Sequence, residues 1–528
     1  MKRENKYIKG LFALTASALL FGCTGSFEEY NTNPFEPTPD QMQGDQAAAK
    51  ANLGTMITAL CQIQQNNSQY LDQFIGAEYG GMCTPPKKFD SGNAFNYTSL
   101  APRDADCSQA FDIMMPQIYS GFFQIQKLTE GKGNFYEIAR IVRIAATLHL
   151  SDIYGPIPYS KVNGGDYTVA YDSVEDLYTY LFADLDEIVT NLAGVAGTIE
   201  SAIADGDPLF AGDFTKWIKY ANTLKLRMAI RISNVAPALA QQKAEEAIAN
   251  PVGVMTDASD SAWTYENDGM NPFYRAAIEW NPPVNDLRVS ANLTSYLNGY
   301  EDPRLPIYVR PCTGAYADRG YVGLRHGMAS IGDAYGDLSA PNIGEYDPQL
   351  IMSASEAWFL RAEAALNGWD AKGSAKDCYE KGIEVSMQER GAGIGSYLES
   401  TKQPANYTDP ITSSYSANRR SGITPSYDAG ASTEANRERI LIQKWLANFP
   451  NGWETWADIR RTGYPQFFSL VSNQAPSGEG VSGTGAIMQR LHYPQSEYNT
   501  NTENVNAAVQ LLGGSDTFGT RLWWAKKN

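Results

Sequence analysis

The chain has 528 residues, with 42 Lys and Arg against 59 Asp and Glu and a formal charge of −17. That balance repels nucleic-acid phosphates and anionic lipid surfaces, which excludes proteins that bind either through a basic patch. Six cysteines are too sparse for a disulfide scaffold, no CxxC occurs, and His149, His326 and His492 lie too far apart for a zinc motif.

Lys2, Arg3, Lys6 and Lys9 precede an apolar run from Leu11 to Phe21, the layout of a secretory signal peptide. The run is about half of the roughly 20 residues needed to span a bilayer. Leu20, Phe21, Gly22 and Cys23 resemble a bacterial lipobox, so residues 1–22 read as a signal peptide and Cys23 as the lipid attachment. Residues 23–44 read as anchor and tether, because Pro34, Pro37 and Pro39 disfavour helix. Removing residues 1–22 takes away Lys2, Arg3, Lys6 and Lys9 and also Glu4, so the charge moves from −17 to about −20. Five cysteines remain, Cys61, Cys83, Cys107, Cys312 and Cys378, an odd number that cannot all pair within the chain.

No second tether follows, so residues 45–528 read as one large, mainly α body. Helices are predicted over 45–79, 109–130, 136–151 and 173–194. From Asp213 to Ser233, Phe214, Trp217, Ala221, Leu224 and Met228 recur at helical spacing behind Asp213 as N-cap, with Lys216, Lys219 and Lys225 off the stripe: an amphipathic helix. Ser353 and Glu356 stand in capping-box spacing ahead of a helix that stops near Gly368. A second helix follows after a short turn, with Ala375, Cys378, Tyr379 and Gly382 on one face, so the two form a tetratricopeptide-like pair. Another helix covers 434–448 and ends near Phe449, before the turn at Pro450, Asn451 and Gly452. Trp453 and Trp456 then pack on the core, and Arg460 and Arg461 pair with Glu454 or Asp458. Asp302, Pro303 and Arg304 read as a helix-ending turn with a buried ion pair. Strand signals are short and scattered.

Long loops are left at 80–108, 252–350, 392–432 and 464–528. Loops of that length in a compact body are functional or disordered, and their many aromatic residues argue against disorder. Tyr numbers 31 and Trp 10, often in polar Gly- and Pro-rich segments, where flat rings suit flat ligands such as sugars.

Several motifs fail. Gly478, Gly480 and Gly483 spell GxGxxG, but no βαβ unit surrounds them. Asp104, Asp106 and Ser108 begin like a calcium loop, yet Gln109 replaces the turn glycine and Met115 the bidentate Glu, leaving a capping cluster. There is no GxSxG, no HExxH and no legible carboxylate pair, so the chain reads as a binding protein rather than an enzyme, with no metal or cofactor.

"YNTNPFEPT", "SDIYGPIPYSK", "DPLFAGDFTKWIKYANTLKLRMAIRIS", "YEDPRLPIY", "ERILIQKWLANFPNGWETWADIRRTGYP", "RLHYPQSEYNTNTENVNAAV" and the closing "RLWWAKK" resemble, in order, the signatures of the SusD/RagB family of bacterial outer-membrane lipoproteins. The resemblance covers nearly the whole mature chain. It implies a helical body with tetratricopeptide-like pairs and a loop-rich second lobe. It also implies a surface lipoprotein that captures oligosaccharides as the lid of a SusC-type TonB-dependent outer-membrane transporter. Capture of peptides or proteins by the same fold, as the RagB branch implies, is the alternative. Glu28 and Glu29 resemble the acidic export signal of surface lipoproteins.

A glycan site needs ring faces for stacking and amides or guanidiniums for hydroxyls. One candidate loop holds Phe89, Asn93, Phe95 and Tyr97, in the region where the family presents ligand contacts. Another holds Trp263, Tyr265, Tyr274, Trp280, Asn281 and Arg288. A third, weaker loop carries Arg419 and Arg420, which could instead meet the transporter.

Overall fold

The computed structural model describes residues 47–86, 97–166, 168–264, 270–282, 284–328 and 332–526. Helices carry most of it, some joined by short turns and others by long excursions: α1 (Ala47–Thr58), α2 (Gln109–Leu128), α3 (Asn134–Tyr154), α4 (Val174–Leu192), α5 (Phe214–Arg231), α6 (Pro237–Ala249), α7 (Ala291–Tyr300), α8 (Ala354–Leu366), α9 (Ala375–Arg390), α10 (Thr433–Ala447), α11 (Trp453–Thr462) and α12 (Thr502–Leu512). Pairs α2–α3, α5–α6 and α8–α9 pack as helical hairpins, and residues 49–528 form one body. None of the described helices is long and apolar enough to cross a membrane.

Local chemistry sets the helix ends. The Asp213 carboxylate accepts the Thr215 and Lys216 N–H groups to start α5. Ser374 and Asp377 form a full capping box at α9, which closes on Gly391 in the left-handed region. At α8 the Ser353 hydroxyl accepts the Glu356 N–H, but the Glu356 side chain does not return to the cap. It turns inward and takes a bidentate bond from Arg227, at 2.8 and 2.9 Å. Burial of two opposite charges outweighs the second half of the box. In the α8–α9 pair, a Cβ at Gly382 would stand 2.7 Å from the Phe359 ring, so the small residue is what lets the helices meet.

Several expectations are corrected. The 45–79 helix is broken: α1 stops at Thr58, and Gln65–Ser68 leads into a ten-residue π-helix, Gln69–Glu78. Helix α5 is not half solvated. Everything from Tyr220 to Arg231 is buried, and Lys225 bonds to Asp186 and Glu246 while Arg227 and Arg231 enter the core as ion pairs. Loop 252–350 contains α7, and loop 464–528 contains α12. The α7 sequence, rich in Asn, Ser, Thr and Gly, has weak helix propensity; burial of Leu293, Tyr296, Leu297 and Tyr300 overrides it. Arg460 forms no ion pair with a carboxylate among the described residues. It donates to the Asp152, Trp456 and Gln489 carbonyls and lies 3.7 Å over the Trp456 ring, whereas Arg461 pairs with Glu363 and Asp458 as expected of its Asp458 partner. The Asp302–Arg304 pair is buried as the turn implied.

Among the described residues two large hydrophobic cores form, beside two small clusters around Leu324 and Tyr407. One joins α1–α6 to the C-terminal segment; the other lies under residues 273–309 and against α9 and α10. The excursion 265–348 is closed at its base by β2 (Ala262–Thr264), antiparallel to β4 (Gln349–Met352), with a bulge between Ala262 and Trp263. Within it β3 (Arg288–Val289) pairs antiparallel with β1 (Cys83–Thr84). All five described cysteines are buried and none forms a disulfide with another.

Candidate functional site

The excursion builds a rigid aromatic face. Asn271 caps a turn by accepting the Phe273 N–H, Pro272 supplies its fixed φ, and Pro272–Tyr274 runs into a π-turn, Arg275–Glu279. The Trp280 N–H closes that turn on the Arg275 carbonyl at 2.8 Å. Asn281 and Asn285 both take positive φ, and their amides lock the next bend. Asn281 donates to the Asp286 carboxylate at 2.9 and 3.0 Å, and Asn285 donates to the Ile278 and Trp280 carbonyls at 2.9 and 3.0 Å. Trp280 and Tyr274 are half-buried, each with one part of its ring on the second core. Asn281 and Glu279 are exposed beside them, and Arg275 pairs with Glu279 at 3.3 Å.

Tyr346 stands near Tyr274 and Glu279, and sequence reasoning missed it. It is 69% exposed on a loop tied to Asn271 by two bonds, Asn271 N–H to the Glu345 carbonyl and Asn271 Nδ2 to the Asp347 carbonyl. Its phenol is pushed up by a hydrogen bond to Glu345, with Glu279 and Tyr274 near enough to add to the shift. The available signal was a lone aromatic in "GEYDP", a turn-forming stretch with no apolar periodicity.

Trp263 stands elsewhere. It lines a cavity of about 230 Å³ with Asp72, Asn271, Tyr308, Arg390 and Trp453. The Arg390 guanidinium lies 4.8 Å over the Trp263 ring and 5.1 Å over that of Tyr308. Burial pushes the Asp72 carboxyl from 3.8 up to about 7, although the Gln62 N–H and Trp453 Nε1 donate to it. The folded state therefore keeps a proton that the unfolded chain releases, and stability from this group falls as pH rises from about 4 to about 7. Asp72→Asn, which keeps an acceptor there, is expected to raise the thermal midpoint over wild type at pH 8 but not at pH 4.

The remaining candidates separate. Tyr97 is 1% exposed and stacks on Phe74 at 4.7 Å, inside the first core. Arg288 is buried and donates to the Leu287, Ala277 and Gly336 carbonyls, so it clamps the excursion and cannot reach a surface ligand. Both were expected as contacts; burial gives them structural work. Phe89, Asn93, Phe95, Tyr265 and Cys23 lie outside the described residues. Arg419 is exposed and donates to Gln403 at 2.6 Å. Among the described residues no cluster of His, Cys, Asp or Glu is arranged to hold a metal. The Gly478, Gly480 and Gly483 stretch is a run of turns, each glycine at positive φ.

The family model described as "Susd and RagB outer membrane lipoprotein" matches residues 29–525. Among solved structures, a SusD-like protein from Bacteroides thetaiotaomicron is 37% identical, with a TM-score of 0.84 over 91% of this chain and 99% of that one. A chitin-binding SusD homolog from Flavobacterium johnsoniae is 33% identical, with a TM-score of 0.85 over 91% and 99%. A SusD homolog from Bacteroides uniformis is 35% identical, with a TM-score of 0.85 over the same shares. No curated protein matches the chain. On the family match across residues 29–525 and these shared folds, the chain belongs to the SusD-like family of outer-membrane lipoproteins.

Proposed function

We propose that the chain is a surface-exposed lipoprotein, held in the outer membrane by lipid on Cys23 and a tether over residues 23–44, whose domain from residue 45 captures oligosaccharides. In this reading it acts as the lid of a SusC-type TonB-dependent transporter and is not an enzyme. The observation that carries it is the aromatic face of Tyr274, Trp280 and Tyr346, held by the Asn271, Asn281 and Asn285 bonds. Rings offer stacking to sugar C–H faces, and Asn281, Arg275 and Glu279 offer partners to hydroxyls. Because the frame is built from backbone and amide bonds, it loses little freedom on binding. Closure of the ligand between lid and transporter would raise an individually weak affinity.

The protein from Ser26 onward, screened on a glycan array with chitin oligosaccharides included, is expected to bind. Calorimetry of Trp280→Ala is expected to show at least tenfold weaker binding, about 1.4 kcal/mol or more, with a thermal midpoint lowered only by the loss of its partial packing on the second core. Equal affinity in the variant would move the site, and binding of peptides with silence toward glycans would replace the reading with peptide capture.

A further inference from the structure

Asn stands directly before Gly at Asn163, Asn298, Asn367 and Asn451. With no side chain on the second residue, its backbone nitrogen can close on the side-chain carbonyl carbon of the first wherever the backbone is free to bend. Three of these pairs are tied into the body. Asn298 lies inside α7 and donates to the Tyr321 carbonyl at 2.8 Å, and a Cβ at Gly299 would stand 2.2 Å from the Ala405 nitrogen. Asn367 accepts from Arg437 at 3.1 Å, and the Gly368 N–H already donates to the Ala365 carbonyl at 3.0 Å. The Asn451 amide donates to the Leu350 and Ile351 carbonyls, and a Cβ at Gly452 would stand 2.2 Å from the Gly76 carbonyl oxygen.

Asn163 differs. Residues 163–166 are an exposed turn between α3 and α4, and the Gly164 N–H has no acceptor among the described residues. Gly164 takes a φ of 78° and lies so close to the Phe123 ring that a Cβ would stand 2.9 Å from it. The Asn163 Oδ1 accepts the Gly165 N–H at 2.9 Å and the Asp166 N–H at 3.2 Å, while Nδ2 donates to the Asp166 carboxylate at 2.7 Å. Two backbone donors on one carbonyl oxygen polarise its carbon, and they stabilise the negative charge that gathers on that oxygen when the carbon becomes tetrahedral.

We infer that Asn163 is a site of self-modification, converted to aspartate and isoaspartate through a cyclic imide formed with Gly164. Hydroxide takes the Gly164 amide proton, the nitrogen electron pair forms a bond to Asn163 Cγ, and the carbonyl pair moves onto Oδ1. Return of that pair breaks the Cγ–Nδ2 bond, and the leaving nitrogen takes a proton from water and departs as ammonia, which restores the hydroxide. A second water adds to one imide carbonyl, and the C–N bond there breaks. Addition at Cγ leaves aspartate; addition at the Asn163 backbone carbonyl leaves isoaspartate. Either product puts a carboxylate against Asp166 where an amide had donated, so the bond that closes the turn gives way to like-charge repulsion. Isoaspartate also adds a methylene to the backbone of the turn.

The test ages the protein from Ser26 onward at pH 7 and pH 9, with peptide mapping by mass spectrometry and labelling by a methyltransferase specific for isoaspartate. In the folded protein, conversion at Asn163 is expected to run at least tenfold faster than at Asn298, Asn367 or Asn451, and faster at pH 9 than at pH 7. In urea, which removes the tertiary restraints, the four rates are expected to converge. The acidic form that accumulates should co-elute with Asn163→Asp in ion exchange, and Asn163→Gln should not form it. A folded-state rate at Asn163 no higher than at the other three, or aspartate there without isoaspartate, overturns the inference. An equally wide spread of rates in urea overturns it too, because the selection would then lie in the local sequence and not in the turn.

Discussion

Glu454→Ala is expected to lower stability by about 3–5 kcal/mol, among the largest effects of any single substitution in the chain. Glu454 sits at the meeting point of α3, α5, α8, α10 and α11. Arg231 donates to it at 2.6 Å, Arg227 lies 3.6 Å away and Lys444 3.9 Å, and all of these side chains are nearly inaccessible. The same cations serve Asp152, Glu356 and Asp458, so the cluster is a shared network rather than separate pairs. Burial by itself would raise the Glu454 carboxyl, yet Arg227, Arg231 and Lys444 hold it well below the usual range. Deleting it takes the Arg231 bond and the second carboxylate beside Arg227 out of a buried site, and that lost pairing is what the measurement reads. Depressed carboxylates contribute stability that is complete above their unfolded value of 4.5 and lost as pH falls toward the folded one. Glu363, held at about 2 by Arg461 and Arg437 against the opposing effect of burial, behaves alike. The thermal midpoint of wild type should therefore fall steeply below pH 4.5, and Glu454→Ala should fall less steeply. A variant within 1 kcal/mol of wild type at pH 7 would show that the network is energetically neutral.

Asp302→Ala is the second large effect, again about 3–5 kcal/mol. Asp302 accepts from Arg304 at 2.7 and 2.9 Å, from the Arg304 N–H at 2.9 Å and from the Tyr397 hydroxyl at 2.6 Å. Arg304 continues to Ser386 on α9 and Gln443 on α10 at 3.0 and 2.8 Å. One carboxylate thus anchors the end of α7 to two helices of the body, and both charged side chains are fully inaccessible. The double variant Asp302→Leu, Arg304→Met should recover part of the loss in urea unfolding, because it removes both charges instead of orphaning one. If the double variant is no more stable than Asp302→Ala, the bonds to Tyr397, Ser386 and Gln443 that it lacks outweigh the relief of the unpaired guanidinium.

What could be read from residue order is what depends on close neighbours. Asp213 and Ser353 each cap a helix within three residues, and Asp302 meets Arg304 two positions on, so spacing alone named them. The aromatic face was half legible for the same reason. Tyr274, Trp280 and Asn281 fall in one short aromatic and amide-rich stretch, while Tyr346, brought in by the Asn271 bonds, lies far along the chain. Trp263 and Arg288 looked equivalent to Trp280 as letters. Cavity walls and carbonyl clamps separate them, and those depend on β-pairing across the excursion.

By itself the sequence determined a mainly α body of the SusD-like family, the places where its main helices begin and the stretch that carries Trp280, because caps, periodicity and turn chemistry act over a few residues. Only the tertiary structure decided which charges are buried together and which aromatics keep a face to solvent. Those outcomes turn on desolvation, and a side chain is desolvated by whatever distant segment the fold lays against it. Glu356 has its Arg227 partner 129 positions away.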